Sequence, residues 1–138
     1  MRRFTLPPRA LALVAALALL ATACQAVPVA SPSPGPAGDL DLVAHARATA
    51  DRLDEAAELY RAGASEDALD TVADAYEEHF ELIEHPLEEI DEQFMHELEL
   101  LIAVTIRQQM RDGASVEAVE ALVERARTDL GRAEEMLR

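Results

Sequence analysis

Carboxylates at helical spacing are the residues of this chain best suited to do chemistry. Placed at about 100° per residue on a helix, Glu77, Glu81, Glu84 and Glu88 fall within about 60° of one another. Glu88, Glu89, Glu92, His96 and Glu99 share a second arc of roughly 100°. His85 stands one turn beyond Glu81 and offers an imidazole to the same face. Like charges at i, i+4 repel, at a cost of about 0.2–0.5 kcal/mol per pair in an isolated helix. Something must offset that cost: water and counter-ions, arginines from neighbouring helices, or a bound cation. Oxygen ligands with an occasional imidazole suit a hard cation, such as calcium, manganese or ferric iron, better than copper. The candidate metal ligands are therefore Glu77, Glu81, Glu84, His85, Glu88, Glu92 and His96. A solvated acidic face is the competing reading. His79, beside Tyr76, Leu82 and Ile83, reads as a core-edge histidine, and His45 is assigned no role.

Composition sharpens the contrast. The chain has 138 residues, 27 acidic and 12 basic, for a formal net charge of −15. Every basic residue is arginine, and none lies between Arg61 and Arg107, where fourteen of the acids and three of the four histidines are found. A pI near 4.5 argues against a nucleic-acid partner, because phosphate binding needs a basic footprint. A single cysteine excludes an internal disulfide or a cysteine-based zinc cluster. Glu-x-x-His, His-Glu-x-x-His, glycine-rich phosphate loops and Gly-x-Ser-x-Gly are all missing, so the chain reads as a non-enzyme.

The elements that must carry these side chains are helices. From Asp39 onward there are three glycines and one proline, and apolar residues recur at helical spacing. One stripe is Leu42, Ala46, Ala50, Leu53, Ala57 and Tyr60; a second is Leu69, Val72, Tyr76, Phe80, Ile83 and Leu87. Ile90, Phe94, Leu98, Leu101 and Thr105 give a third. Val116, Val119, Leu122, Ala126, Leu130, Ala133 and Leu137 give a fourth. Gly63 and Gly113 are placed to end helices, Ser65 and Ser115 to cap the next ones. Pro86 lacks an amide hydrogen and disfavours helix at His85, which predicts a break there. The expected fold is all-α, a four-helix up-down bundle of two hairpins, with helices at about 39–62, 65–85, 87–112 and 115–137. Arg61-Ala-Gly-Ala-Ser recurs as Arg111-Asp-Gly-Ala-Ser, through either an internal repeat or shared turn chemistry. The stretch from Leu98 to Ile106 is apolar nearly all round. It is either the most buried part of the bundle or a homodimer surface.

The first 38 residues belong to export and tethering. Arg2, Arg3 and Arg9 precede a nearly unbroken apolar run from Ala10 to Ala23, too short to span a bilayer as a helix. Ala21-Thr22-Ala23 before the lone Cys24 resembles the lipobox of bacterial lipoproteins, although the favoured leucine sits at Leu20. This makes 1–23 a lipoprotein-type signal peptide and Cys24 the lipidation site. Cleavage by ordinary signal peptidase, or retention as an anchor, are the alternatives. Gln25 to Gly38 holds four of the seven prolines and reads, with Cys24, as an extended tether (24–38) holding the acidic domain 39–138 off a membrane.

The run Ala75-Tyr76-Glu77-Glu78-His79-Phe80-Glu81-Leu82-Ile83-Glu84, followed by Pro86-Leu87, resembles the extracytoplasmic helical segment of bacterial high-affinity iron permeases. Glu97-Leu98-Glu99-Leu100-Leu101 and the helix from Val116 to Leu137 resemble its continuation. The resemblance spans about residues 60–138 and matches Glu81 and Glu84 to the family's acidic positions. It implies iron as the cation and a membrane permease as partner. The permease's membrane helices and their Arg-Glu-x-x-Glu motifs are missing, so this chain would bind or hand over iron rather than transport it. The leading expectation is a lipoprotein outside a bacterial cell membrane or outer membrane whose acidic bundle binds a hard cation. The rival is an adaptor lipoprotein that contacts another envelope protein through helix surfaces.

Overall fold

The computed structural model describes residues 41–138. The signal peptide, Cys24 and the tether read from the sequence lie outside the described residues. Within them the chain is all-α, without strands. Helix α1 spans Leu42–Arg61 and α2 spans Ser65–Ala75. A π-helical segment, Tyr76–Phe80, leads into α3, Glu81–Glu99; a second, Leu100–Ile106, leads into α4, Arg107–Arg111. The last helix, α5, spans Val116–Met136.

Asp41 opens α1 by accepting the amide hydrogen of Ala44 at 3.0 Å. Both interhelix turns close in the same way. Gly63 and Gly113 take φ of +84° and +70°, which glycine adopts without a Cβ clash. The amides of Gly63 and Ala64 then donate to the carbonyls of Tyr60 and Leu59, each at 3.0 Å. Those of Gly113 and Ala114 donate to Met110 and Gln109, at 3.2 and 3.0 Å. These are two Schellman turns, and they account for the glycine that the two copies of the Gly-Ala-Ser echo share. Ser115 caps α5 through Ala118 N–H at 3.3 Å. Ser65 does not cap α2; the cap position is Ala64, with no side-chain bond. The Tyr60 hydroxyl donates to the Ala114 carbonyl at 2.7 Å and ties the end of α1 to the second turn.

The break predicted at Pro86 falls instead at Asp91. Backbone from Ser65 to Arg111 stays helical through Pro86 and departs only at Asp91, with φ −154° and ψ +87°. Pro86 leaves the Leu82 carbonyl without its i+4 partner, but Leu82 is exposed, so water can serve. Asp91 supplies what a new helix start needs. Its Oδ1 accepts from Phe94 N–H at 3.0 Å, the N-cap geometry.

Helix α1 packs along α2 and α5. The core runs through Ala46, Leu53, Ala56 and Tyr60, then Val72, Phe80, Ile83, Leu87, Phe94 and Leu98, and on to Val119, Val123, Ala126 and Leu130. Phe80 is fully buried and adds about 1.5–3 kcal/mol of transfer free energy. The third stripe holds at Phe94, Leu98 and Leu101 but fails at both ends. Ile90, just before the Asp91 break, is 53% exposed. Thr105 is exposed while Ile102 and Ile106 are buried. The π-helical segment explains the second failure: its longer turn delays the buried face by one residue. The Thr105 hydroxyl donates to the Leu100 carbonyl, five residues back, at 3.1 Å.

Candidate functional site

Arginines pair along their own helices and across the α1–α5 seam, and none reaches the acidic stripe. Arg47 meets Glu134 at 2.8 Å, Arg61 meets Glu120 at 2.7 Å and Arg127 meets Asp54 at 3.2 Å, all across the α1–α5 seam. Two arginines reach the arginine-free stretch: Arg52 bonds Asp74 at 3.0 Å, and Arg132 bonds Asp91 at 3.1 Å. Among the described residues, no arginine lies within 4.0 Å of Glu77, Glu81, Glu84, Glu88 or Glu92. Of the offsets open to these carboxylates, neighbouring arginines are thus removed, leaving water with counter-ions, or a cation.

The predicted ligands do not converge on one point. Glu77, Glu81 and Glu92 are exposed, each without a basic partner in reach. His85 does not pair with Glu81. Its side chain, 78% exposed, turns forward to Glu88 at 3.7 Å and Glu89 at 3.5 Å. Helical side chains at i, i+3 and i, i+4 meet in both directions, and here the C-terminal pair wins. His96 faces Glu99 at 3.3 Å. Among the described residues, no three His, Cys, Asp or Glu side chains are grouped so as to hold one metal ion.

Glu84 is the stripe member drawn inward. It is half-buried and accepts the Tyr76 hydroxyl at 2.6 Å. Burial pushes the Tyr76 phenol well above its usual value; the hydrogen bond to Glu84 adds to this, followed by the charges of Glu84, Glu99 and Glu81. Only Glu84 touches the phenol; Glu99 and Glu81 act on it through their charge alone. Spacing on a single helix reveals Glu81 and Glu84 but not Tyr76, which reads as an apolar-stripe residue. Across the molecule, burial also raises Asp54, partly opposed by Arg127.

A second polar contact joins the two histidines set aside on sequence grounds. His45 Nδ1 lies 3.3 Å from His79 Nδ1, and both side chains are half-buried. The signal for it is the turn at Gly63. His45 lies eighteen residues before that turn and His79 sixteen after it, so an antiparallel hairpin sets them opposite each other.

Compared with family models, curated proteins and solved structures, the chain matches none.

Proposed function

We propose that this is a lipid-anchored extracytoplasmic protein whose acidic helical face takes a hard cation, iron foremost, in association with metal uptake. On this reading its helices form the four segments of an up-down bundle, with the Asp91 break as the turn between the second and third. The observation that carries the proposal is the oxygen pair at Tyr76, a phenol donating to the Glu84 carboxylate at 2.6 Å, on a stripe that no arginine neutralises. Phenol and carboxylate oxygens are hard donors. A phenol is protonated at neutral pH, so a ferric ion bound there would exchange for that proton.

The test is a ferric citrate titration of segment 39–138. Melting temperature should rise saturably beyond ionic-strength-matched sodium chloride, with linkage stabilisation of about 2.7 kcal/mol at a hundredfold excess over Kd. Replacing Glu81, Glu84 and Glu88 together by glutamine should abolish the rise, and Tyr76→Phe should abolish any visible phenolate-to-iron band. If ferric, manganese and calcium ions all stabilise no better than matched sodium chloride, the stripe is a solvated face. The anchoring half is tested separately: palmitate labelling of the full-length chain should vanish in Cys24→Ser, and persistent labelling would overturn it.

Exposed apolar side chains favour the adaptor as second reading. Leu82, Ile90, Leu100 and Val104 are between 39% and 53% exposed, and such residues suit contact with an envelope partner, a permease or a second copy.

A further inference from the structure

The acidic stripe leaves the His45–His79 contact without a role, and that contact has a chemistry of its own. The two rings belong to different elements, α1 and the Tyr76–Phe80 segment. Their planes are tilted by 41° and their centroids are 5.5 Å apart, so they meet nitrogen to nitrogen rather than face to face. Two nitrogens bound to a tetrahedral zinc, each at about 2.0–2.1 Å, stand about 3.3–3.4 Å apart. The Nδ1 atoms here are 3.3 Å apart.

We propose that His45 and His79 form a two-imidazole site for a borderline divalent cation, such as zinc, copper(II) or nickel, that bridges α1 to the Tyr76–Phe80 segment. Imidazole suits this class of metal, whereas the carboxylate face suits hard cations. The two sites therefore select different ions. Among the described residues no third His, Cys, Asp or Glu joins the pair. Solvent completes the coordination, which makes the site open and exchangeable rather than a closed structural one.

Proton balance is simple. In the neutral pair one Nδ1 carries the hydrogen that the other accepts. A metal needs both Nδ1 lone pairs, so that hydrogen moves to Nε2 of its own ring and no net proton is released. The backbone under His45 is already fixed. His45 N–H donates to the Asp41 carbonyl at 3.0 Å, and the His45 carbonyl accepts the buried Thr49 hydroxyl at 2.9 Å. The α1 ring thus sits on a held turn of helix, and binding costs little backbone ordering.

The experiment is a zinc titration of the full-length chain, followed by long-range proton–nitrogen correlation of the histidine rings and by thermal melting. The Nδ1 resonances of His45 and His79 should shift together along one saturable curve, with a rise in Tm. His45→Ala and His79→Ala should each weaken the apparent affinity tenfold or more. His85→Ala with His96→Ala, and Glu81→Gln with Glu84→Gln and Glu88→Gln, should leave it unchanged, which separates this site from the acidic face. Zinc shifts confined to His85 and His96 would overturn the proposal. So would undiminished zinc binding in His79→Ala, or no saturable shift at His45 and His79. Should an alanine variant fail to fold, the wild-type ring resonances alone decide the outcome.

Discussion

Replacing Asp91 separates the residue that makes the break in the middle helical run from the proline that was expected to make it. Asp91 acts three ways. Oδ1 caps the following helix through Phe94 N–H at 3.0 Å, Oδ2 pairs with Arg132 at 3.1 Å, and Arg132 in turn lies 4.1 Å from the centre of the Phe94 ring. Loss of an aspartate cap costs about 1 kcal/mol. The ion pair is 57% exposed on the Arg132 side and 36% on the Asp91 side, so screening limits it to about 0.2–1 kcal/mol. Loosening the cation–π contact adds about 0.5 kcal/mol. Asp91→Ala should therefore destabilise the fold by about 1.5–2.5 kcal/mol. At about 4–8 °C per kcal/mol for a domain of this size, Tm should fall by roughly 6–20 °C. Asp91→Asn keeps a capping oxygen and loses the charge, so its cost should stay below about 1 kcal/mol. Pro86→Ala restores an amide hydrogen inside a helix, where proline is about 3 kcal/mol worse than alanine, and should be neutral or stabilising. Circular dichroism melts and urea titrations of the three variants measure all of this. If Pro86→Ala is the most damaging of the three, or if Asp91→Asn costs as much as Asp91→Ala, the cap is not what fixes the break.

Segment 39–138 should unfold cooperatively on its own, and Val119→Asp should cost it about 3 kcal/mol or more, because Val119 is fully buried and a carboxylate there has no partner; a loss under 1 kcal/mol would mean that α5 packs differently. Tyr76 carries a pH signature with a definite sign. A folded pKa above the unfolded value means the folded state holds the proton more tightly, so this contribution is complete below about pH 10 and is lost as pH rises further. Tyr76→Phe should therefore flatten the alkaline limb of the stability profile, and an unchanged limb would remove the Tyr76–Glu84 account.

What the sequence makes legible depends on how local the determining force is. Gly63 and Gly113 mark turns because a positive φ is a single-residue property. The α1 and α5 stripes hold because both helices keep a regular 3.6-residue period. Legibility ends where non-local packing decides. Pro86 carries a strong local penalty, yet the carbonyl it strands belongs to exposed Leu82, and the break moves to Asp91, whose side chain can cap. Thr105 and Ile106 exchange places because an α-helical period does not foresee a π-helical turn. At the acidic face, Glu81 and Glu84 are readable from spacing. The forward turn of His85 toward Glu88 and Glu89 depends on rotamers, and Tyr76 joins the carboxylates only because its hydroxyl end leans out of the stripe. His45 and His79 become neighbours through a hairpin, which no single-helix periodicity contains.

The π-helical segment Leu100–Ile106 bears on how this chain tolerates changes in length. A π turn accommodates one residue more than the α turn it replaces, so the segment behaves as a helix carrying a single extra residue. Removing one position from its exposed side, Val104 or Thr105, would let the segment relax to ordinary α geometry. Ile106 would then occupy the place where the third stripe expects its next apolar residue, with Met110 one turn further on. The core would keep its side chains, and only the outer surface would be rewritten. A one-residue deletion, normally ruinous inside a packed helix because it rotates everything downstream by about 100°, would at this place restore the register.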